Sequence, residues 1–290
     1  MKKNILFIIN PVSGGKSKKK FPELARKFLD PSLLEPEYVF TKHPDHAYEL
    51  ALNAVKAGVD IVAAVGGDGT INEVASAIES TSCIMGIIPF GSGNGLARSL
   101  NISLNNEHAL RAINSLNTRT IDTGILNEWK FFNIGGIGFD AHISSKFAGM
   151  KSRGFKGYIK TTFTEIIKYK PQRYRIEIDG RELERKAFMI SIANSSQYGN
   201  NAHISPHASL DDGLLDLCVV KPFPLLRLPL MGYHMFAKSS HKSGYVEIIK
   251  GKNIRIQTDK SSIVHVDGEP RELSRDILIS VKPLSLSVLY

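Results

Sequence analysis

Cysteine and long apolar runs are both scarce in this 290-residue sequence. Its two cysteines, Cys83 and Cys218, lie in apolar segments, so we expect small core residues rather than a redox pair. Such low cysteine use is typical of a reducing cytosol. No window approaches the roughly 18 uninterrupted apolar residues of a membrane-spanning helix. The apolar stretch at residues 5–9 is also too short for a signal peptide, so the sequence predicts a soluble, cytoplasmic protein.

The sequence also lacks the zinc-finger spacing and the aromatic RNA-binding signatures of nucleic-acid-binding proteins, so no nucleic acid partner is expected. The formal net charge is nevertheless +9, and the isoelectric point is near 9.4. Anionic membrane surfaces and polyphosphate ligands both attract a protein of this charge. A basic surface without a specific target is the alternative. The basic residues are concentrated at residues 16–20, 146–160, 168–175 and 238–252.

The first part of the sequence alternates strand-like and helix-like segments. Apolar runs of strand length lie at residues 5–9, 38–40, 60–65 and 84–88. Segments with helical spacing lie between or after them, at residues 21–29, 46–57 and 72–78. This order, with continuously apolar strands, predicts a parallel sheet covered by helices on both faces. We therefore expect an α/β nucleotide-binding domain at residues 1–125.

The pattern changes near residue 122, after which strand-like runs follow one another. They lie at residues 130–134, 174–178, 187–193, 214–220, 253–258, 263–266 and 277–281. One helix is expected at residues 158–168, and a short helix with turns at residues 222–238. This pattern predicts a mostly antiparallel β-sandwich or barrel domain at residues 126–290.

Three glycine-rich turns each follow an apolar strand of the first domain. They are Asn10-Pro11-Val12-Ser13-Gly14-Gly15-Lys16, Gly66-Gly67-Asp68-Gly69-Thr70-Ile71-Asn72-Glu73 and Gly91-Ser92-Gly93-Asn94-Gly95. Loops at the carboxyl ends of parallel strands converge, and glycines allow backbone amides to approach a phosphate closely. The three turns therefore predict a phosphorylated ligand. Neither a complete Walker A loop nor a Gly-x-Gly-x-x-Gly fingerprint is present, which indicates a different kind of nucleotide fold.

Taken together, the three turns resemble the motifs of the diacylglycerol kinase catalytic-domain family, which includes bacterial lipid kinases, sphingosine kinases and ceramide kinases. Later blocks are similar as well, namely Ile121-Asp122-Thr123-Gly124, the segment from Asn133 to Asp140, residues 206–216 and Val266-Asp267-Gly268-Glu269-Pro270. The resemblance implies an α/β domain related to phosphofructokinase and NAD kinase, followed by a β-sandwich. It also implies a magnesium-dependent enzyme that transfers the γ-phosphate of ATP to a lipid hydroxyl, with diacylglycerol or a related lipid alcohol as the acceptor.

The resemblance also implies a set of site residues. The expected nucleotide contacts are Asn10, Ser13, Gly14, Thr41, Gly66, Gly67, Asp68, Gly69, Thr70, Ile71, Asn72, Glu73 and Ser92. Glu269 is the expected general base toward the lipid hydroxyl, with Asp267 as a supporting or alternative carboxylate. The expected metal ligands are Ser209, Asp212 and Leu214 at a structural magnesium site, and Asp68 and Asp122 near the nucleotide.

Each of these carboxylates has a simpler alternative role. Asp68 and Asp122 would suit a turn or a cap, and the Asp-Gly pairs at residues 212–213 and 267–268 would suit ordinary hairpins. Lys16 is a candidate for neutralising phosphate charge, with simple exposure as its alternative.

The identity of the acceptor stays open. Asn94-Gly95-Leu96 is closer to sphingosine and ceramide kinases than to bacterial diacylglycerol kinases, so a sphingoid base is an alternative substrate. An NAD kinase-like enzyme and a non-catalytic lipid- or nucleotide-binding regulator are further alternatives. Basic residues near Phe155, Leu225 and Leu226 suggest peripheral docking at the inner membrane face. A homodimer is a candidate assembly.

Overall fold

Parallel strands organise the N-terminal part of the chain in the computed structural model, which describes residues 2–15, 17–148, 162, 164–259, 261–273 and 275–290. The strands are β1 (Lys3–Ile9), β2 (Leu34–Phe40), β3 (Ile61–Gly66) and β4 (Ile84–Pro89), in the spatial order β2-β1-β3-β4. All three neighbouring pairs are parallel. Every residue of β3 is buried, as expected for a sheet covered on both faces.

Five helices accompany this sheet. They are α1 (Phe21–Phe28), α2 (His46–Lys56), α3 (Asp68–Ile78), α4 (Gly95–Ser99) and α5 (Asn106–Ile113). Their ends follow local chemistry: the Asn105 side chain accepts the first free amides of α5, and Gly58 follows the end of α2 with a positive φ of 74°. The helix α3 begins at Asp68, four residues before the predicted start.

The C-terminal part of the chain is built from antiparallel strands. Their ranges are β5 (Thr118–Leu126), β6 (Trp129–Phe131), β7 (Ile134–Gly138), β8 (Gln172–Ile178), β9 (Arg181–Ala187), β10 (Met189–Ala193), β11 (Leu215–Val220), β12 (Val246–Gly251), β13 (Asn253–Gln257), β14 (Ser262–Val266), β15 (Glu269–Leu273) and β16 (Asp276–Leu289). One sheet has the order β12-β11-β10-β7-β14-β15, and the other includes β16-β13-β8-β9 together with β5 and β6. Helices α6 (Phe139–Ala148) and α7 (Leu228–Phe236) lie between these strands.

Apolar side chains from both sheets form one core in this part of the chain. Ile190 and Leu217 of the first sheet share a buried cluster with Ile176, Ile254 and Ile277 of the second. This packing makes the fold a β-sandwich. The predicted fold class, an α/β domain followed by a mostly antiparallel β-sandwich, is therefore confirmed.

Two compact units divide the chain. The first comprises Met1–Thr123 and Leu284–Tyr290, and the second comprises Gly124–Pro283. The last seven residues of the sequence therefore belong to the same unit as β1 to β4. There, Val288 at the end of β16 pairs in parallel with Met85 of β4.

Several local expectations differ from the structure. The strand predicted at residues 130–134 is two strands, β6 and β7, and the separate strands β9, β12 and β15 were not predicted. The helix predicted at residues 158–168 lies largely outside the described residues, as do Lys16 and Phe155. None of the helices in the described part of the chain has the length and apolar character needed to cross a membrane.

The pairing of β5 with β6 leaves no room for a side chain at Gly124. Gly124 lies directly opposite Phe131, and a Cβ atom at Gly124 would overlap the buried Phe131 ring. We expect Gly124→Ala to lower the free energy of unfolding by about 1–3 kcal/mol, because the ring has no space to move. The measurement is chemical denaturation of the purified protein.

Gly232→Ala is the matched control, since a Cβ atom at this position of α7 meets no atom within 4 Å. In a helix interior it should raise stability by up to about 1 kcal/mol. Equal effects of the two substitutions would contradict the packing described for Gly124.

Candidate nucleotide and acceptor sites

The three glycine-rich loops lie side by side at the carboxyl ends of β1, β3 and β4. The amide of Asn10 donates to the Val65 carbonyl at 3.0 Å, and the amide of Phe90 donates to the Gly66 carbonyl at 2.7 Å. The Asn10 side chain also donates to the Thr70 hydroxyl at 3.0 Å. The structure therefore joins the first loop to the second, and the second to the third.

The glycines of these loops allow one backbone to touch another. A Cβ atom on Gly91 would lie 2.7 Å from the Cα of Gly67. A Cβ atom on Gly14, where φ is +62°, would overlap the Phe90 carbonyl oxygen. The close approach of a phosphate is one expected reason for glycine in these loops. The contact between loops is a second requirement for glycine at the same positions.

Asp68 fastens the second loop to the third. Its Oδ2 accepts the amide of Asn94 at 2.9 Å, and its Oδ1 accepts the amide of Gly95 at 2.8 Å. These bonds match the simpler of the two roles expected for Asp68. A carboxylate is also the oxygen donor that hard cations prefer, which is the second role expected for Asp68.

Other predicted nucleotide contacts have separate local roles. Glu73 Oε2 accepts the amide of Ala47 at 3.0 Å at the start of α2, and burial raises the pKa of the Glu73 carboxyl. Asn72 accepts the Ser76 hydroxyl one turn along α3. The amide of Thr41 donates to the Ile9 carbonyl at 2.9 Å, which places Thr41 beside the first loop.

The remaining predicted nucleotide residues divide by exposure. Thr70 and Ile71 are buried in α3, whereas Ser92 is exposed. Ser13 donates its hydroxyl to the Asn10 carbonyl within the first loop. Ser92 is thus the exposed hydroxyl of this set, whereas the Ser13 and Thr41 side chains are half-buried.

Lys18, two residues after the first loop, is a further buried residue that its sequence pattern did not predict. Its side chain is almost fully buried, donates to the Ser13 carbonyl and lies 4.9 Å from the centre of the Phe90 ring. Desolvation by burial lowers the pKa of its ammonium. The two residues on either side of Lys18 are all charged or polar, so the sequence did not indicate that one lysine of this run is buried.

Asp122 lies within β5 and has no exposed surface. Its Oδ1 accepts the amide of Leu284 at 2.7 Å, next to a 2.7 Å bond between the hydroxyls of Ser285 and Thr123. These bonds hold part of β16 against β5. This geometry fits the structural role expected for Asp122, and its role as a metal ligand stays a prediction.

The predicted acceptor turn is a two-residue hairpin between β14 and β15. Asp267 and Gly268 both have positive φ, 47° and 89°, as a tight Asp-Gly turn requires. The Asp267 carboxylate accepts three amides, from Phe132 at 3.0 Å, Asn133 at 2.9 Å and Ile134 at 3.0 Å. These bonds explain why residues 130–134 do not form one strand.

Glu269, the first residue of β15, is exposed. Its carboxylate faces solvent, whereas the Asp267 carboxylate is held by backbone amides. Of the two candidate bases, Glu269 is the more exposed residue, since Asp267 is half-buried.

A buried polar group behind this turn was not predicted. His265 and Asp140 are both buried, with His265 Nε2 at 3.1 Å from Asp140 Oδ2. The hydroxyls of Ser191 and Tyr198 donate to the same Asp140 oxygen at 3.2 Å and 3.3 Å. In the sequence, this buried group is indicated by His265, which lies between two valines of β14.

The predicted structural metal site contains a lysine. Asp212 Oδ2 lies 2.8 Å from Lys250 Nζ, and Asp212 Oδ1 accepts the amide of Leu214 at 3.1 Å. Asp216 contributes a second carboxylate at 3.6 Å from the same ammonium, and the hydrogen bond to Asp212 raises the pKa of Lys250. The oxygen donors suit a hard cation, but a magnesium ion would have to displace the Lys250 ammonium.

Two family models together match most of the chain. The diacylglycerol kinase catalytic domain model matches residues 4–126, and the model of the YegS C-terminal NAD kinase beta sandwich-like domain matches residues 134–290. The chain belongs to the diacylglycerol kinase family. The family suggested by the sequence motifs, and the assignment to a family of enzymes, are thereby confirmed.

Relatives and solved structures agree with this assignment. A Chromohalobacter salexigens protein described as a probable YegS-like lipid kinase is 29% identical over 227 residues, covering 76% of this chain and 73% of that protein. A Bacillus subtilis diacylglycerol kinase is 26% identical over 277 residues, covering 92% and 90%. A Bacillus anthracis diacylglycerol kinase structure, 20% identical, superimposes with a TM-score of 0.75 over 99% of this chain and 97% of that one. This last similarity shows a shared fold.

The ion pair at Asp212 predicts competition between lysine and magnesium in this family member. Lys250→Met removes the ammonium, so we expect magnesium to raise the Tm of the variant more than that of the native protein. The gain should correspond to about 1.4 kcal/mol when magnesium is at ten times its Kd. The measurement is thermal unfolding without nucleotide, in EDTA and in magnesium.

Lys252→Met is the matched control, because the Lys252 side chain is exposed and its backbone amide bonds to Asp179 instead. An equal response to magnesium in the native protein and in both variants would contradict the proposed competition.

Proposed function

We propose that this protein transfers the γ-phosphate of ATP to the hydroxyl of a membrane lipid, with diacylglycerol as the first candidate acceptor. We assign ATP binding to the loops of residues 1–125, and the acceptor chemistry to residues 126–290. Membership of the diacylglycerol kinase family supports the reaction class. The single observation that supports the chemistry is the accessible Glu269 carboxylate beside a firmly held turn.

The first unit supplies surfaces suited to a polyphosphate. The backbone of the second loop leads into the N-terminus of α3, where the helix dipole favours negative charge. Ser92 offers an exposed hydroxyl on the third loop. Asp68 is the loop carboxylate that would hold a magnesium ion, and that ion would neutralise phosphate charge during the transfer.

The second unit supplies the base. Glu269 accepts the proton of the lipid hydroxyl as that oxygen attacks the γ-phosphorus. The bond between the γ-phosphorus and the bridging oxygen breaks, and ADP leaves with the bonding electrons. Asp267 acts through the backbone of residues 132–134 and fixes the turn, rather than touching the substrate.

The test is phosphate transfer from labelled ATP by the full chain in magnesium, with diacylglycerol, a sphingoid base and ceramide in mixed micelles, and NAD as an aqueous acceptor. We expect label in the organic extract, most of it in the diacylglycerol reaction. Label in NADP would favour an NAD kinase-like enzyme. No transfer to any acceptor would favour a non-catalytic binding protein.

The same assay tests the base. Glu269→Gln should lower kcat by roughly 10²- to 10⁴-fold, the usual contribution of a general base, with the KM for ATP unchanged. Glu272→Gln is the matched control, since Glu272 is exposed on the same strand. A Glu269→Gln variant with native turnover would show that another group accepts the proton.

A further inference from the structure

The surface around α7 exposes large apolar side chains that the fold does not cover. Leu226 is 94% exposed and Tyr233 is 65% exposed, and both lie within 12 residues of chain. The full exposed apolar set of this segment is Leu225, Leu226, Leu230, Tyr233 and Phe236. Leu230 and Tyr233 have the spacing of one face of α7, and Leu226 lies in the 3-10 turn just before that helix. We call residues 225–242 the α7 surface.

The opposite side of α7 is already packed. Met231 is buried, and it and Leu228 contact a core cluster that includes Phe188. Phe223, just before the segment, packs its ring 5.2 Å from that of Phe188. The helix is thus held to the core through Leu228 and Met231, and its exposed apolar side chains take no part in that packing. Exposed apolar patches of this kind mark interaction sites.

The charge of the α7 surface is of one sign. Residues 217–246 contain no aspartate or glutamate. Arg227, Lys238 and Lys242 are exposed, and His234 and His241 lie between or beside them. Apolar side chains flanked by cations are complementary to a bilayer with anionic headgroups, where leucine and phenylalanine enter the acyl boundary and tyrosine stays at the interface. The nine residues of α7 are too few to cross a bilayer.

We propose that the α7 surface docks the protein onto anionic lipid membranes. This inference rests on the proposed function, since a kinase acting on a membrane lipid must reach its substrate at the bilayer. It assigns the docking to residues 225–242, with the apolar side chains inserted and the cations at the headgroups.

The test is co-sedimentation of the full chain with phosphatidylcholine vesicles that contain or lack phosphatidylglycerol. Leu226→Asp should weaken binding roughly tenfold or more, because insertion of a charged group opposes apolar burial. Lys238→Glu with Lys242→Glu should abolish the preference for phosphatidylglycerol. Leu104→Asp and Lys56→Glu are matched controls at exposed positions of the first unit, and should bind as the native protein does.

Native binding by Leu226→Asp, or equal binding to neutral and anionic vesicles, would overturn the docking inference. So would a change from dimer to monomer in Leu226→Asp without loss of vesicle binding, because the surface would then be a contact between copies.

Turnover on a short-chain, water-soluble diacylglycerol separates docking from catalysis. A Leu226→Asp variant that is active there but inactive on vesicles has lost docking alone. A native protein inactive on both would contradict the proposed function, whatever its vesicle binding.

A second inference concerns the turn that carries Glu269, and rests on different contacts. His265 Nδ1 accepts the amide of Gly268 at 3.3 Å. Because Nδ1 accepts, the ring proton lies on Nε2 and is donated to Asp140 at 3.1 Å. One buried imidazole therefore connects Asp140, at the start of α6, to the backbone of the acceptor turn. A Cβ atom at Gly136 would overlap both groups, so glycine there leaves space for the pair.

We infer that His265 is a positioning residue that orients the Glu269 turn. The inference rests on Glu269 being the base. Asparagine at residue 265 can still accept the Gly268 amide, whereas glutamine can still donate to Asp140 but places no acceptor near Gly268. The two substitutions therefore separate the two hydrogen bonds of the ring.

We expect His265→Gln to lower kcat at least tenfold with an unchanged KM for ATP, and His265→Asn to restore most of that kcat. Unfolding of both variants by heat is the control for folding. Equal kcat in the two variants would overturn the inference.

In the double variant His265→Gln, Glu269→Gln, we expect no loss beyond that of Glu269→Gln alone, because the histidine acts through the glutamate. A multiplicative loss would show that His265 acts independently. Native kcat in Glu269→Gln alone would instead contradict the proposed base.

Discussion

The hydrogen bonds of the Asp267 carboxylate are the interaction on which the turn between β14 and β15 depends. The carboxylate binds three consecutive amides at residues 132–134, and hydrogen bonds to a charged acceptor are stronger than those between neutral groups. The bonds end β6, start β7 and fix the turn that follows β14. An aspartate in this position cannot easily serve as a base as well, because proton transfer would weaken all three bonds. Under the proposed function, the structural role thus belongs to Asp267 and the chemical role to Glu269, two carboxylates separated by one glycine.

The three glycine-rich loops are also held by contacts between distant segments, and here glycine residues make the contacts possible. Gly14, Gly67 and Gly91 let three loops touch through their backbones, and Asp68 then fastens two of those loops together. A loop that binds a phosphate through its amides needs an accessible backbone and a rigid conformation. Close packing between the backbones of two glycine-rich loops provides that rigidity without side chains that would cover the amides.

The features that sequence reasoning found were local ones. The continuous apolar run that becomes β3, the turns after each parallel strand and the Asp-Gly hairpin are all visible in short windows. The fold class and the family followed from them. The features it missed depend on partners far along the chain. Asp267 binds amides 133 to 135 residues away, and His265 meets Asp140 at a separation of 125. No periodicity in the sequence indicates such pairs, and the charged strand β9 was missed because its alternation is that of an exposed strand.

The path of β16 has a consequence for the order in which the protein is made. The unit that contains the nucleotide loops also contains Leu284–Tyr290, where Val288 is fully buried and pairs with Met85. A ribosome has to translate the whole second unit before Val288 can reach its place. The unit that contains β1 to β4 is therefore completed only after Gly124–Pro283 has been synthesised, and until then β4 lacks its pairing with Val288.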